Sequence, residues 1–273
     1  MRTRVFLLAV ALLAFLLPLA WTALASFGVV PDNSSRPPSW AGSFSLDRFG
    51  EIGVAEPAFW QELATSTASA ALAALVTIAV SYPAAFALAR SRSRTQSLVA
   101  PAFVVLASLP AMCYVIPLSD LMRRAHLIDT FAGIVLSEAA VTAPLAVYVL
   151  HGAFRQLSVE WEEAAVLDGA GLWRTLLRIV LPLVAPSVVA TALVVFVIDW
   201  NLLLVPLVLT SGEIKTVPVA MSDFFTFERE LDWPTAAAAL AVSLAPVALL
   251  VGLFHRALQR FALEAIRPES SDE

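Results

Sequence analysis

The chain alternates between long apolar runs and shorter polar segments. A helix needs about twenty apolar residues to cross the hydrocarbon core of a bilayer. Six runs are long enough: Val5–Phe27, Leu63–Ala89, Leu98–Ser119, Thr130–Leu150, Leu183–Thr210 and Pro234–Phe254. Because backbone groups in lipid must find partners inside their own segment, each run predicts a helix rather than a strand. The pattern therefore predicts an all-α membrane protein with six transmembrane helices.

Composition agrees with this class and excludes others. Hydrophobic residues make up 59% of the chain and charged residues 14%, a balance that ordinary soluble domains do not have. The sequence has one lysine, and its arginines form no broad basic face, so nucleic-acid binding is not expected. Cys113 is the single cysteine, which excludes an intrachain disulfide.

The first apolar run has two interpretations. Arg2 and Arg4 precede it, and Ala23-Leu24-Ala25 resembles a signal-peptide cleavage site. The run is longer than a usual signal-peptide core, which favours a retained helix. Removal of this helix would leave the topology of the other five unchanged.

Arginine and lysine are distributed unequally between the two sides of the predicted bundle. One set of segments carries eleven of these residues and the opposite set carries six. The positive-inside rule assigns the first set to the cytoplasm. This set includes both termini and the segment between Leu150 and Leu183, whereas Arg123 and Arg124 run against the rule.

A polar segment of about thirty residues separates the fourth and fifth apolar runs. Its charged residues are Arg155, Glu160, Glu162, Glu163, Asp168, Arg174 and Arg178. Ser158 can cap a helix whose first turn holds the three glutamates. Gly169 or Gly171 can end that helix in a left-handed conformation. We expect a short exposed helix that is bound by another protein. The stripe expected to face that protein consists of Trp161, Ala164 and Ala165.

No enzyme site is evident in the sequence. A nucleotide-binding Gly-Lys-Ser/Thr loop is excluded, because Lys215 follows Ile214 rather than a glycine. The three histidines are far apart and have no metal-ligand spacing. Any energy-coupled role would therefore need ATP to be hydrolysed on another chain.

Two carboxyl groups fall inside apolar runs, where ionisable residues are costly and often functional. Asp199 is followed by Trp200 and Asn201, and three adjacent polar side chains cannot all point at one neighbour. We therefore expect this cluster to line a polar solute pathway. The alternative is an interhelical hydrogen bond that only fixes packing. Glu138, in the fourth run, could pair with an arginine or stay neutral and protonated.

The polar segment carries a family motif. The motif resembles the EAA loop of ATP-binding-cassette importer permeases. It consists of Glu163-Ala164-Ala165, three residues, Gly169, nine residues, Ile179, one residue and then Leu181-Pro182. Every fixed position is matched. Around this loop the chain resembles the maltose-type carbohydrate permeases, particularly the smaller six-helix partner of the pair. Supporting stretches are Ala84–Arg90, Leu127–Thr130, Ala164–Ala170, Trp200-Asn201 and Thr235–Ala241.

The resemblance implies roles for the matched positions. Glu163, Ala164 and Ala165 would lie on a coupling helix that seats in a cleft of an ATPase subunit. Gly169 would turn the chain out of that cleft. Ile179 belongs to the same set, and Leu181-Pro182 would begin the next membrane helix.

The resemblance also implies partners. These are a second permease subunit in a heterodimer, two ATPase subunits that carry ATP and magnesium, an extracytoplasmic solute-binding protein and membrane lipid. The chain itself would bind no cofactor or metal. It would sit in the cell (inner) membrane of a bacterium or archaeon, with both termini cytoplasmic, and work by alternating access.

The expected organisation is a first transmembrane helix at 1–28, an external loop at 29–62, a five-helix core at 63–260 with its coupling segment at 158–182, and a cytoplasmic tail at 261–273. The tail is acidic and lacks the glycine of the family's smaller subunit. Glu138 stands where the family usually has an apolar residue or proline.

A carbohydrate is the expected solute, and glycerol phosphates or another polar solute are the alternatives. A stand-alone secondary carrier could use Asp199 or Glu138 for proton coupling, but the sequence has no evident internal repeat and such a carrier would not need an exposed coupling helix. A membrane enzyme would need a second catalytic group at the depth of Asp199, and only Glu138 is available.

Overall fold

The structure is a computed structural model that describes residues 2–29, 44–91, 96–210, 214–222 and 233–266. Within these ranges every regular element is a helix, which confirms the predicted all-α class. The elements are α1 Arg2–Ser26, α2 Asp47–Glu51, α3 Pro57–Arg90, α4 Gln96–Ala107, α5 Ala111–Arg124, α6 Phe131–Gln156, α7 Glu160–Leu167, α8 Leu172–Thr175, a π-helical turn Leu176–Val180, α9 Leu181–Trp200, α10 Leu204–Leu209, α11 Val217–Ser222 and α12 Trp233–Ile266.

Five helical stretches in the described ranges are long and apolar enough to cross a membrane. They are Val5–Ser26, Pro57–Arg90, Phe131–Gln156, Leu172–Trp200 and Pro234–His255. A sixth apolar stretch is made by α4 and α5 together, and the two helices are bent by 91°. The count agrees with the prediction of six apolar segments if this bent pair is one span.

The bend between α4 and α5 corrects the prediction of a single helix over Leu98–Ser119. The break lies at Ser108-Leu109-Pro110, and Pro110 caps α5 in an extended conformation with φ −59° and ψ 141°. Proline has no N–H to donate, and its ring disfavours helical geometry at the residue before it. The backbone N–H of Cys113 donates to the carbonyl of Pro110 and starts the new helix.

The fifth span also differs from the prediction. Helical structure is continuous from Leu172 to Trp200, so the span neither begins at Leu183 nor continues to Thr210. Leu181-Pro182 forms the start of α9, and α8 and the π turn add helical turns before the pair. The N–H of Leu181 donates five residues back to the carbonyl of Leu176, and this π-type register precedes the proline that cannot donate.

Contacts divide the chain into two compact units. One unit comprises Thr65–Lys215 and Leu249–Glu273, and the other comprises Met1–Ala64 and Thr216–Ala248. In the first unit α6 packs against both α4 and α9. Its main core cluster joins α3, α6, the π turn and α9 through Tyr82, Ala85, Val147, Leu150, Phe154, Leu176, Val180 and Val184.

The second unit has a small core between the segment after α2 and the start of α12. Ile52 packs with Ala238 and Ala239, and Thr235 donates a hydrogen bond of 2.7 Å to Glu51. This hydroxyl, together with the Arg48 guanidinium, lowers the pKa of the Glu51 carboxyl below its ordinary value. The described aromatic residues of the segment expected at 29–62 pack within this unit.

Some sequence expectations fall on residues that the structure does not describe. The irregular stretch expected around Pro31 lies outside the described residues. Most of the tail expected at 261–273 does so as well, although α12 continues to Ile266. The external segment ends earlier than expected, because α3 begins at Pro57 rather than Leu63.

A tight turn precedes α6. The side chain of Thr130 accepts a hydrogen bond from the N–H of Gly133 at 3.0 Å and donates one to the carbonyl of Leu127 at 2.8 Å. His126 and Asp129 adopt left-handed conformations, each with φ 56°. A Cβ at Gly133 would overlap the carbonyl oxygen of Leu127, so this close approach needs a glycine.

We predict that Gly133→Ala lowers the stability of the protein by about 1–3 kcal/mol, the usual cost of forcing extra volume into a packed site. Gly152→Ala, on the same helix, is the matched control. A Cβ there would meet no atom within 4 Å, and the change should stabilise α6 by up to about 1 kcal/mol. Thermal unfolding in detergent tests both variants. Equal midpoints for the two would contradict the close approach at Gly133.

Candidate functional site

The short helix α7 begins where the sequence places a start signal. The hydroxyl of Ser158 accepts a hydrogen bond from the N–H of Glu160 at 3.3 Å, although Val159 occupies the cap position itself. Glu160, Glu162 and Glu163 fill the first turn. Their negative charge lies at the end of the helix whose free N–H groups carry partial positive charge, so it stabilises the helix.

The end of α7 is set by Gly169. Its φ of 74° is left-handed, and its N–H donates to the carbonyl of Val166 at 3.0 Å. The next N–H, from Ala170, donates to the carbonyl of Ala165 at 2.9 Å, which completes a Schellman motif. Gly171 has an ordinary extended backbone, so Gly169 is the glycine that ends the helix.

The stripe expected from Trp161, Ala164 and Ala165 is divided in the structure. Ala165 is buried with 3% of its surface exposed, whereas Trp161 is 53% exposed and Ala164 is also exposed. Ala165 is the one buried residue of α7. The stripe therefore does not form one partner-facing surface.

The exposed apolar surface of the segment lies mostly around the turn after α7. Leu167 is 88% exposed, Val166 is 68% exposed, and Leu172 and Trp173 are 62% and 64% exposed. We call these four residues, with Trp161, the turn patch. This patch was not among the sequence predictions, although large apolar residues on both sides of Gly169 in a polar segment could have indicated it.

An ion pair joins α7 to the end of α3. Nε of Arg90 donates to both carboxylate oxygens of Glu162, at 2.8 and 3.0 Å, and Nη2 lies 2.7 Å from Oε1. The same Nη2 donates to the carbonyl of Leu157 at 3.0 Å. Both side chains are mostly buried, at 18% and 14% exposure. No local sequence pattern pairs residues that are this far apart in the chain.

A second connection joins the segment to the membrane helices. The hydroxyl of Tyr82 donates to the carbonyl of Leu176, in the π turn, at 2.8 Å. The Tyr82 ring also packs edge-on against Phe154 of α6, with ring centroids 5.2 Å apart. Three elements therefore meet directly beneath α7 and α8, and the exposed segment stands on a packed base.

The remaining matched motif positions lie in this base. Ile179 and Leu181 are half-buried, and Leu181 packs against the core cluster. Pro182 is exposed. The motif thus combines an exposed part, which includes Glu163 and Ala164, with a part that attaches the segment to the core.

The structure separates the three residues of the expected solute pathway. Asp199 is buried, with 2% of its surface exposed. Trp200 is buried and stacks on Phe196 with ring centroids 6.0 Å apart. Asn201 is exposed, and its side-chain amide donates to the carbonyl of Val197 at 2.7 Å. The helix ends here, because Asn201 is followed by a break before α10.

Glu138 is also buried, on α6, which packs against the helix α9 that carries Asp199. Oε1 of Glu138 accepts a long hydrogen bond of 3.5 Å from Ser69. Oε2 of Glu138 and both carboxyl oxygens of Asp199 are buried without a hydrogen-bond partner. Within the described chain no arginine forms a salt bridge with Glu138, which removes the arginine-pair interpretation there. The described residues include no group of three or more side chains that could hold a metal ion.

A bundle of apolar helices with an anchored polar segment between two spans is the architecture of a multi-pass membrane protein. Residues 78–263 match the family of binding-protein-dependent transport system inner membrane components. The match covers more than half of the chain, and the chain belongs to this family. It is a permease subunit of an importer and is not itself an enzyme.

Two named permeases are similar to this chain along most of their length. The chain is 30% identical to the trehalose/maltose transport system permease protein MalG of Thermococcus litoralis over 245 residues, which cover 88% of this chain and 87% of that protein. It is 30% identical to the trehalose transport system permease protein SugB of Mycobacterium tuberculosis over 202 residues, covering 72% and 73%.

Among solved structures, a bacterial ABC transporter involved in the import of the acidic polysaccharide alginate has the same fold. The superposition has a TM-score of 0.73 and covers 93% of this chain and 94% of the other, at 19% sequence identity. Similarity at this identity establishes the fold alone.

We predict that Gly169→Ala destabilises the end of α7, because a side chain in the left-handed conformation costs about 1–2 kcal/mol. Gly171→Ala is the matched control. Neither glycine has an atom within 4 Å of an added Cβ, and only Gly169 has a positive φ. Limited proteolysis of residues 158–175 should be faster in Gly169→Ala and unchanged in Gly171→Ala. Equal cleavage rates would contradict the role of Gly169.

We also predict that Arg90→Gln or Glu162→Gln lowers stability by about 2 kcal/mol, since each leaves a mostly buried charge without its hydrogen bonds. The control pair is Arg124 and Asp120, which lie 2.8 Å apart but are 78% and 54% exposed. Breaking an exposed pair should cost under about 1 kcal/mol. Thermal unfolding measures both, and a loss at the control pair as large as that at Arg90 would contradict the anchoring role.

Proposed function

We propose that this chain is one permease subunit of an ATP-driven importer that takes up a sugar or oligosaccharide. The solute would be delivered by an extracytoplasmic binding protein, and the chain would move it by alternating access. The observation that carries the proposal is the anchored segment around α7. It combines the acidic first turn with the turn patch, and it stands on a core shared by α3, α6 and the π turn.

The chemistry of this segment suits a protein partner. The turn patch consists of large apolar side chains in a segment rich in charge, where lipid would not cover them. Exposed apolar surface rimmed by polar residues is typical of a protein interaction site. Two contacts would transmit force between the partner and the membrane helices. They are the ion pair of Arg90 with Glu162 and the hydrogen bond from Tyr82 to Leu176.

We propose that the partner at this segment is one of two ATPase subunits, which carry ATP and magnesium. Glu163 and Ala164 would contact it directly, whereas Ala165, Ile179 and Leu181 would hold the segment in place. Gly169 would shape the turn, and Pro182 would stay outside the contact. The chain itself would bind no cofactor.

The remaining partners follow from the same architecture. A second permease subunit would pair with this chain in a heterodimer, and lipid would cover the apolar outer faces. The importer would lie in the cell (inner) membrane of a bacterium or archaeon with both termini in the cytoplasm. The excess of arginine and lysine on one side of the bundle supports this orientation.

A neutral sugar is favoured over a glycerol phosphate. The relatives described above have names that refer to trehalose and maltose. A phosphate would need a positive partner, yet neither Asp199 nor Glu138 has an arginine or lysine within ten residues on either side. In the proposed pathway Asn201 is the exposed polar residue and would contact the solute, while Asp199 and Trp200 would support it from the buried side.

We predict that Glu163→Lys abolishes co-purification of the ATPase with the permease pair, because it reverses a charge at the proposed contact. Glu160→Lys makes the same charge change in the same helical turn, outside the matched motif, and should retain the ATPase. Both glutamates are exposed, so neither change should unfold the chain. Normal co-purification of the ATPase with Glu163→Lys would reject this contact.

The substrate class can be tested on the cognate binding protein. Ligand that binds only the folded state raises the apparent melting temperature in proportion to occupancy. We expect di- or oligosaccharides to raise this temperature, and the same sugars to stimulate ATP hydrolysis by the reconstituted importer. A shift with glycerol phosphates and with none of the sugars would overturn the carbohydrate assignment and leave the importer assignment intact.

A further inference from the structure

The bent span formed by α4 and α5 contains a backbone break whose polar groups are exposed. Helix α4 ends at Ala107, α5 begins at Ala111, and the two helices are bent by 91°. The carbonyls of Ser108 and Leu109 accept no hydrogen bond from any described residue, and the N–H of Met112 donates to none. These three residues are exposed. Because an unpaired backbone group is costly in hydrocarbon, the surroundings of the break must supply partners.

The lengths of the two helices place the break deep in the bilayer. The 12 residues of α4 and the 14 of α5 extend for about 18 Å and 21 Å, and neither crosses a hydrocarbon core of about 30 Å. Tilted equally, two such helices at a right angle together rise about 28 Å, with the break about 13 Å from one side. An upright α4 would leave α5 in the membrane plane and hold Arg123 and Arg124 at depth, which is costly. The break therefore lies near the middle of the bilayer.

Lipid does not suit the exposed side of this span. Non-helical backbone at membrane depth is tolerated only where protein covers it or where it lines a water-filled cavity. One face of α5 is exposed at Cys113, Pro117, Asp120 and Arg124, which follow one another at intervals of three or four residues. Asp120 and Arg124 form an ion pair on this face and are 54% and 78% exposed. Charged side chains in spans face water or protein, so this face favours water over lipid.

A cavity of about 180 Å³ lies beside the break. It is smaller than the roughly 300–1,000 Å³ of sites that enclose a small molecule, so its size suits one ring of a larger solute. None of the described residues that line it is charged, which favours a neutral group. Its walls come from the end of α4, the start of α5 and the middle of α6, and they include Leu106, Leu109, Tyr114, Leu118, Ala140 and Pro144.

The apolar cavity contains a few polar groups without partners. Tyr114 is half-buried, and within the described chain its hydroxyl makes no hydrogen bond. Pro144 has no N–H, so the carbonyl of Ala140 lacks the donor that an α-helix normally provides four residues later. Ala140 is exposed. Apolar walls with a small number of polar groups are typical of sites for small molecules.

We propose that the break and Tyr114 form a contact site for one sugar ring on a water-filled solute path. The C–H groups on one face of the sugar would pack on the Tyr114 ring, whose face is electron-rich. The hydroxyls of the sugar would pair with the Tyr114 hydroxyl and with the open carbonyls of Ser108, Leu109 and Ala140. The inference rests on the proposed function as a sugar importer, and it adds Tyr114 as a residue that contacts the solute.

Thiol labelling tests whether water reaches the break, and it needs no solute. Cys113→Ser removes the single cysteine, and Leu109→Cys or Leu75→Cys is then added to that variant. Leu75 is the matched control, because it is 66% exposed inside the uninterrupted helix α3. A membrane-impermeant maleimide should label Leu109→Cys in the reconstituted importer about tenfold faster, since thiolates form poorly in apolar surroundings. A rate no higher than that of Leu75→Cys would mean that lipid or the second permease subunit covers the break, and would overturn the proposal.

Protection from labelling tests the contact with sugar. Maltose and trehalose, the probe sugars, should slow labelling of Leu109→Cys severalfold. Adding Tyr114→Leu should abolish this protection, whereas Tyr148→Leu, at an exposed tyrosine of α6 that does not line the cavity, should preserve it. Protection that persists in Tyr114→Leu, or no protection by a sugar that the importer takes up, would refute the contact and leave the importer assignment intact. An importer that takes up no sugar at all would overturn the contact together with the proposed function.

Discussion

The contact between Tyr82 and Leu176 is the interaction on which the exposed segment depends. The hydroxyl of Tyr82 reaches a carbonyl in the π turn, and its ring packs against Phe154. Helix α7 has eight residues, and isolated helices shorter than about 12–15 residues are marginal in water. Its order must therefore come from tertiary contacts. Tyr82 and Arg90, on one face of the end of α3, provide two of them.

Much of the fold could be predicted from the sequence because lipid imposes a simple rule on length and composition. Five of the apolar runs correspond to helices, and their positions agree except near the ends. The errors lie where a local backbone feature interrupts an apolar run. The third segment bends by 91° at the break before Pro110, and helical structure starts at Leu172, in a stretch whose Arg174 and Arg178 favour a loop by hydropathy.

The functional segment was predictable in part. A glycine with positive φ is a local requirement, and the sequence offered Gly169 and Gly171 as the end of the helix, of which the structure uses Gly169. The orientation of side chains could not be assigned, because it depends on which face of α7 meets the core. Ala165 is buried for that reason, and Leu167 is exposed.

The continuous helix from Leu172 to Trp200 has a mechanical consequence. Twenty-nine helical residues extend for about 43 Å, from the base of the exposed segment to the carboxyl of Asp199. No loop interrupts this length, and the contacts of Tyr82 with Leu176 and Phe154 lie near its exposed end. If the helix tilted as one body about these contacts, the residues near Asp199 would move farther than those of the π turn, because they lie farther from the point of rotation.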